Sequence, residues 1–118
     1  MRGFRRRMFR GSWLQLIVLR ILYKKPLHGY KLLGEVNSLM AGRRKLKAGS
    51  LYTILRRMEH SGLLDSIWEK KSGGLDRRIY KLTEKGTEML KQGKSMIEDQ
   101  RKILDEMAMF YKLHFKDD

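Results

Sequence analysis

The chain has 118 residues, of which 27 are Lys or Arg and 13 Asp or Glu, giving a formal net charge of +14 and a pI near 10.3. That length holds one domain, and so large a cationic excess selects a polyanionic partner, nucleic acid before an acidic membrane surface. With no cysteine, disulfides, a thiol nucleophile and zinc fingers are excluded, and a reducing cytoplasm suits the composition.

The charge is unevenly placed. Residues 1–82 carry 20 Lys/Arg against 5 Asp/Glu, whereas residues 83–118 carry 7 against 8. The front of the molecule is therefore expected to meet the anion and the back to do something else.

Met1–Gly11 has five arginines among Phe4, Met8 and Phe9 and no apolar stripe. It reads as a flexible basic arm, suited to a phosphate backbone or a minor groove, or equally as a solvated tail. The opening also has the charged front and apolar run of a signal peptide. Gln15 and Arg20 interrupt that run, no small-residue cleavage site follows, and the run is too short to span a bilayer. The expectation is a soluble, cytoplasmic protein with no membrane partner.

A first helix is expected from Ser12, a possible N-cap, with Trp13, Leu14, Leu16, Ile17, Val18, Ile21 and Leu22 apolar nearly all round, as in a helix buried on more than one side. Pro26 ends it. A second helix opens near His28-Gly29 and runs to Met40, with Tyr30, Leu33, Val36, Leu39 and Met40 expected inward. Ala41–Lys47 (AGRRKLK) is a basic loop.

The next stretch, AGSLYTILRRMEHSGLL (Ala48–Leu64), is the centre of the chain. Ser50 is the expected N-cap. Leu51, Ile54, Leu55 and Met58 recur at helical spacing, and Gly62 with Leu63 predicts a Schellman ending. The opposite face carries Tyr52, Thr53, Arg56 and Arg57, a combination suited to a helix that enters the major groove. Taken alone, that face is equally a solvated side of an ordinary helix. Two helices joined by a turn, the second with a polar basic front, make a helix-turn-helix.

Leu64–Lys71 and Asp76–Leu82 read as two strands reversing at Ser72-Gly73-Gly74. Lys70, Lys71, Arg77 and Arg78 bracket the hairpin tip, which gives a wing whose cations suit the DNA backbone. A charged hairpin kept soluble by its ends is the plainer alternative. The expected fold is mainly α with a small β-hairpin (α+β): a winged helix-turn-helix over 12–82 and a long C-terminal dimerisation helix over 83–118. The predicted DNA contacts are Lys47, Ser50, Tyr52, Thr53, Arg56, Arg57, Lys70, Lys71, Arg77 and Arg78.

Thr83 is expected to cap the last helix, which runs to about His114. Its stripe of Met89, Leu90, Gly93, Met96, Ile97, Ile103, Leu104, Met107, Phe110 and Tyr111 is heptad-like. At 1.5 Å per residue the helix is about 45 Å long, more than so small a domain covers, and a two-fold dimer through this helix and the first one is the inference. Gly93 and Gln100 at seam positions point to packing less regular than a coiled coil. Trp13, Met89, Met96, Ile103 and Phe110 either line an apolar slot for a small hydrophobic effector, since methionine adapts to varied shapes, or simply fill the dimer core.

Catalysis has little support. His28, His60 and His114 are scattered, with no metal-ligand spacing, and Ser72-Gly73-Gly74 is too short and wrongly placed to cradle phosphate. No enzyme, cofactor or metal is expected.

His28-Gly29-Tyr30, Gly49-Ser50-Leu51-Tyr52, Leu55, Met58-Glu59, Gly62-Leu63-Leu64, Arg77-Arg78-Ile79-Tyr80-Lys81-Leu82-Thr83 and Gly86 together resemble the PadR family of transcriptional regulators, over roughly residues 14–90. The family usually has proline after the tyrosine of the recognition helix; Thr53 stands there instead, which points to a different base preference. The single C-terminal helix looks like that of the short subfamily, whose dimers hold a flat hydrophobic effector. The resemblance implies a dimeric repressor that binds a palindromic operator and lets go when a small molecule arrives. By position it implies groove and phosphate contacts at Ser50, Tyr52, Thr53 and Arg56, with Arg77 and Arg78 on the flanking backbone and Tyr30 on phosphate or in the core. A non-specific architectural DNA protein is the competing reading, motivated by the +14 charge and the arginine-rich arm; a membrane-surface protein ranks below both.

Overall fold

The computed structural model describes residues 12–40, 45–70 and 77–116. The basic arm, most of the AGRRKLK loop and the hairpin tip with Lys71 and Ser72-Gly73-Gly74 lie outside them. The elements in order are α1 (Ser12–Lys24), β1 (Leu27–His28), α2 (Gly29–Leu39), α3 (Ala48–His60), β2 (Leu64–Glu69), β3 (Arg77–Leu82) and α4 (Glu84–His114).

The core forms where the first three helices meet the hairpin. Val18 and Leu19 of α1, Leu32 and Val36 of α2, Leu51, Leu55 and Met58 of α3, and Leu64 of β2 are fully enclosed. The inward face of α2 departs from the expected one. Gly29, Leu32 and Val36 turn inward at helical spacing, with Leu33 and Met40 packed beside them. Tyr30 is 85% exposed and Leu39 is also on the surface. Once Leu32 defines the buried direction, Tyr30 lies about 200° round the helix from it.

The start of α3 is also revised. The helix begins at Ala48, so Ser50 sits inside the first turn, and the capping residue is Lys47, extended in backbone and making no side-chain cap. α1 includes Ser12, the first described residue. The stop of α3 is the predicted one. Gly62 has φ +80°, Gly62 N–H donates to the Glu59 carbonyl at 2.9 Å, and Leu63 N–H donates to the Met58 carbonyl at 2.9 Å, the paired bonds of a Schellman turn.

The hairpin strands pair antiparallel from Leu64↔Leu82 to Glu69↔Arg77. A third strand, β1, adds to the other side of β3 through Leu27↔Tyr80 and His28↔Ile79. Two residues are too few to show period-two alternation, so β1 left no signature in the sequence. Thr83 caps α4 as expected, its hydroxyl accepting from Gly86 N–H at 3.0 Å.

The first half of α4 packs on the core through Met89, Leu90, Met96 and Ile97. Gly93 is buried where a Cβ would lie 2.6 Å from a Leu16 methyl, so this seam position serves contact with α1 of the same chain. From Arg101 to Lys116 every residue is exposed, including Ile103, Leu104, Met107, Phe110 and Tyr111.

Candidate nucleic-acid interface

Leu51, Leu55 and Met58 anchor α3 in the core, which fixes what its other faces present. Because the helix turns 100° per residue, the polar side divides into two flanks. Tyr52, Arg56, Glu59 and His60 face a groove of about 1220 Å³ whose other walls are the start of α2 and the hairpin strands toward their turn, including Trp68, Arg77 and Arg78. Ser50, Thr53 and Arg57 lie exposed on the outer flank, where the Thr53 hydroxyl donates to the Gly49 carbonyl at 3.0 Å. Thus four of the expected contacts, Tyr52, Arg56, Arg77 and Arg78, converge on the groove. Lys47 and Lys70 are exposed outside it, and Lys71 is not among the described residues.

The groove depends on a close approach between α2 and α3. A Cβ on Gly29 would lie 2.9 Å from the Tyr52 ring, so the first residue of α2 must be this small for Tyr52 to stand where it does. Asn37 near the end of α2 secures the other end of the turn. Its side chain accepts from Leu46 N–H at 2.7 Å and donates to the Leu46 carbonyl at 3.2 Å.

The hairpin is tied to α3 by side chains of three elements. Arg78 Nε donates to Ser66 Oγ at 2.6 Å, Ser66 Oγ donates to Glu59 Oε2 at 2.8 Å, and Arg78 Nη2 reaches the same carboxylate at 3.3 Å. The guanidinium carbon lies 5.6 Å from the Trp68 ring centroid and 5.9 Å from that of Tyr80, within cation–π range. Burial pushes the Tyr80 phenol above its ordinary pKa of 10.0, with Arg78 pulling it down and Glu59 adding to the rise. On the other face His28 Nε2 meets Glu69 Oε1 at 3.3 Å. Among the described residues, the side chains of Arg56, Arg57 and Arg77 make no hydrogen bond or ion pair, which leaves their guanidinium donors available.

The sequence left Lys31 and Glu59 out of the expected contacts and left Tyr30 between phosphate and the core; all three line the groove. Glu59 had a signal, being the lone acid on the polar side of α3. The predicted effector residues are dispersed in the single chain. Met89 and Met96 pack on the core, while Trp13, Ile103 and Phe110 are exposed. Among the described residues no group of three His, Asp or Glu side chains could hold a metal, and no helix is long and apolar enough to cross a membrane.

A family model described as the transcriptional regulator PadR-like family matches residues 18–92. The chain is 29% identical over 96 residues to the transcriptional regulator YqjI of Escherichia coli (strain K12), covering 81% of this chain and 44% of that protein, so it spans under half the length of that curated relative. It superimposes on a PadR family transcription regulator from Clostridium difficile R20291 with a TM-score of 0.70 at 28% identity, over 81% of this chain and 98% of the other. Bacillus subtilis PadR in complex with operator DNA shares the fold, with a TM-score of 0.61 at 22% identity, over 67% and 45%. With the model spanning more than half of the residues and the winged helix-turn-helix in place, the chain belongs to the PadR-like family of transcriptional regulators.

Proposed function

We propose that this regulator is a cytoplasmic homodimer that binds a palindromic operator sequence-specifically and acts as a repressor. The observation that carries the reading is the convergence of α3 and the hairpin on one groove, with unpaired Arg56 and Arg77 on its walls. The α3 contacts would be Lys47, Ser50, Tyr52, Thr53, Arg56 and Arg57; those of the wing would be Lys70, Lys71, Arg77 and Arg78. That Bacillus subtilis PadR, of the same fold, was crystallised with operator DNA supports the assignment.

The division of labour is residues 12–82 for DNA and 83–118 for pairing, with the 1–11 arm adding nonspecific attraction. Support for pairing comes from the exposed apolar run of α4 beyond Arg101, since a patch of that kind marks an interaction site. Between paired helices, Trp13, Met89, Met96, Ile103 and Phe110 would line a slot for a small hydrophobic effector whose arrival releases the operator.

Selection from a random DNA pool by the purified protein tests the proposal. An inverted repeat with half-sites about one helical turn apart is expected, bound about a thousandfold or more tighter than random duplex. Equal affinity for both would instead make this an architectural DNA protein. Titration of aromatic compounds against Trp13 fluorescence tests the effector slot.

A further inference from the structure

We propose that Arg78 is a positioning residue: with Ser66 and Glu59 it forms a strut that fixes the wing against the recognition helix, leaving Arg77 to meet phosphate. The proposal rests on the DNA-binding reading above and refines which side chains carry it.

Strand alternation separates the two arginines. Successive side chains on a strand point to opposite faces, and the Ser66↔Tyr80 and Trp68↔Arg78 register puts Arg78 on the face of buried Tyr80 and Leu64. Arg77 shares the other face with Ile79. The Arg78 head is then held by two donated hydrogen bonds and two aromatic rings at once. Contacts join α3, β2 and β3 in a closed triangle, so none of the three elements shifts without opening a side of it.

Electrostatics argues the same way. An isolated pair with 43% and 24% of its side chains exposed would hold weakly; here the carboxylate also accepts the Ser66 hydroxyl, and one network shares the load. Were Arg78 to turn to a phosphate, Glu59 would be left an unpaired anion on the groove wall beside a polyanion. Arg77 carries no such obligation among the described residues.

The test compares wild type, Arg77→Ala, Arg78→Ala, Glu59→Gln and the Glu59→Gln/Arg78→Ala pair on the duplex the protein selects, across a salt series. Trp68 quenching by acrylamide in a Trp13→Phe background reads the strut without DNA. A strut predicts that Arg77→Ala lowers the salt slope by about 0.9 while Arg78→Ala leaves it unchanged. Arg78→Ala and Glu59→Gln should each weaken binding about three- to tenfold, and the pair should be no worse than either alone. Trp68 should become more accessible in both single variants. Glu59→Gln is informative because deleting an anion from a DNA-facing wall ought, by charge alone, to tighten binding. A slope drop in Arg78→Ala, or tighter binding by Glu59→Gln, overturns the proposal, as does unchanged Trp68 quenching. If Arg78→Ala fails to fold, Arg78→Lys replaces it: a strut loses affinity with the planar fork, whereas a phosphate contact keeps wild-type affinity and slope. Failure of wild type to select any duplex overturns the DNA-binding reading instead, while the Trp68 measurement still decides the strut.

Discussion

The carboxamide of Asn37 satisfies both backbone groups of Leu46, accepting from its N–H at 2.7 Å and donating to its carbonyl at 3.2 Å. Leu46 immediately precedes Lys47, whose extended backbone caps α3 without help from its side chain. A single side chain on α2 thus sets where the recognition helix begins. Asn37→Ala leaves two partly buried backbone groups to be satisfied elsewhere, and a loss of about 1–3 kcal/mol of stability is expected in denaturant unfolding. Operator affinity should fall further than for a surface substitution of equal stability cost.

Three glycines should respond to alanine in three ways. At Gly86 a Cβ would run into the backbone carbonyl of Leu63 and lie 2.9 Å from a Leu82 methyl; the carbonyl does not yield easily, and Gly86→Ala should cost about 1–3 kcal/mol in thermal unfolding. Gly34, inside α2 with nothing within 4 Å of its added carbon, should gain roughly 0.5–1 kcal/mol. Gly49, equally open and in the first turn of α3, should leave stability unchanged or higher. Weaker operator binding by Gly49→Ala would mark close backbone approach to DNA.

Tyr80 supplies a pH dependence. The residue is 4% exposed, and its phenol holds its proton past the ordinary pKa of 10.0 because burial disfavours the phenolate. The folded state therefore binds more protons than the unfolded one as pH climbs through 10, and stability falls there. Below that pH the contribution is fully present. Unfolding free energy measured against pH should bend downward above 10, and Tyr80→Phe should lessen the bend. In Arg78→Ala, loss of the neighbouring cation should move tyrosinate absorbance to still higher pH.

Charge placed in the exposed run of α4 tests pairing. Ile103→Glu combined with Phe110→Glu puts two carboxylates where apolar side chains now face solvent, and sedimentation equilibrium should return the mass of one chain. Each recognition helix would then bind its half-site alone, about a hundredfold more weakly than the pair. A dimer of unchanged strength would place the interface elsewhere.

What was legible in the sequence was the local punctuation. Gly62 after Met58 announced the Schellman stop, Thr83 announced α4, and the apolar rhythm of Leu51, Leu55 and Met58 gave α3 its buried face. The errors have local causes too. Ser50 looked like a cap because its hydroxyl suits one, yet the helix starts earlier on a backbone-only cap. Tyr30 looked internal because aromatics usually are, although Leu32 holds that place. The tie from Glu59 to Arg78 spans 19 residues and exists only once the hairpin has folded back, so no spacing in the chain could announce it. Tyr52, Arg56 and Arg77 converge for the same reason.

The junction after α3 has a mechanical consequence. Three successive carbonyls there are bonded to the start of α4: Ser61 to Lys85 Nζ at 2.7 Å, Gly62 to the Thr83 hydroxyl at 2.6 Å, and Leu63 to Thr83 N–H at 3.2 Å. The end of α3 and the start of the 31-residue α4 therefore share one bonded corner, and pulling them apart would break all three contacts.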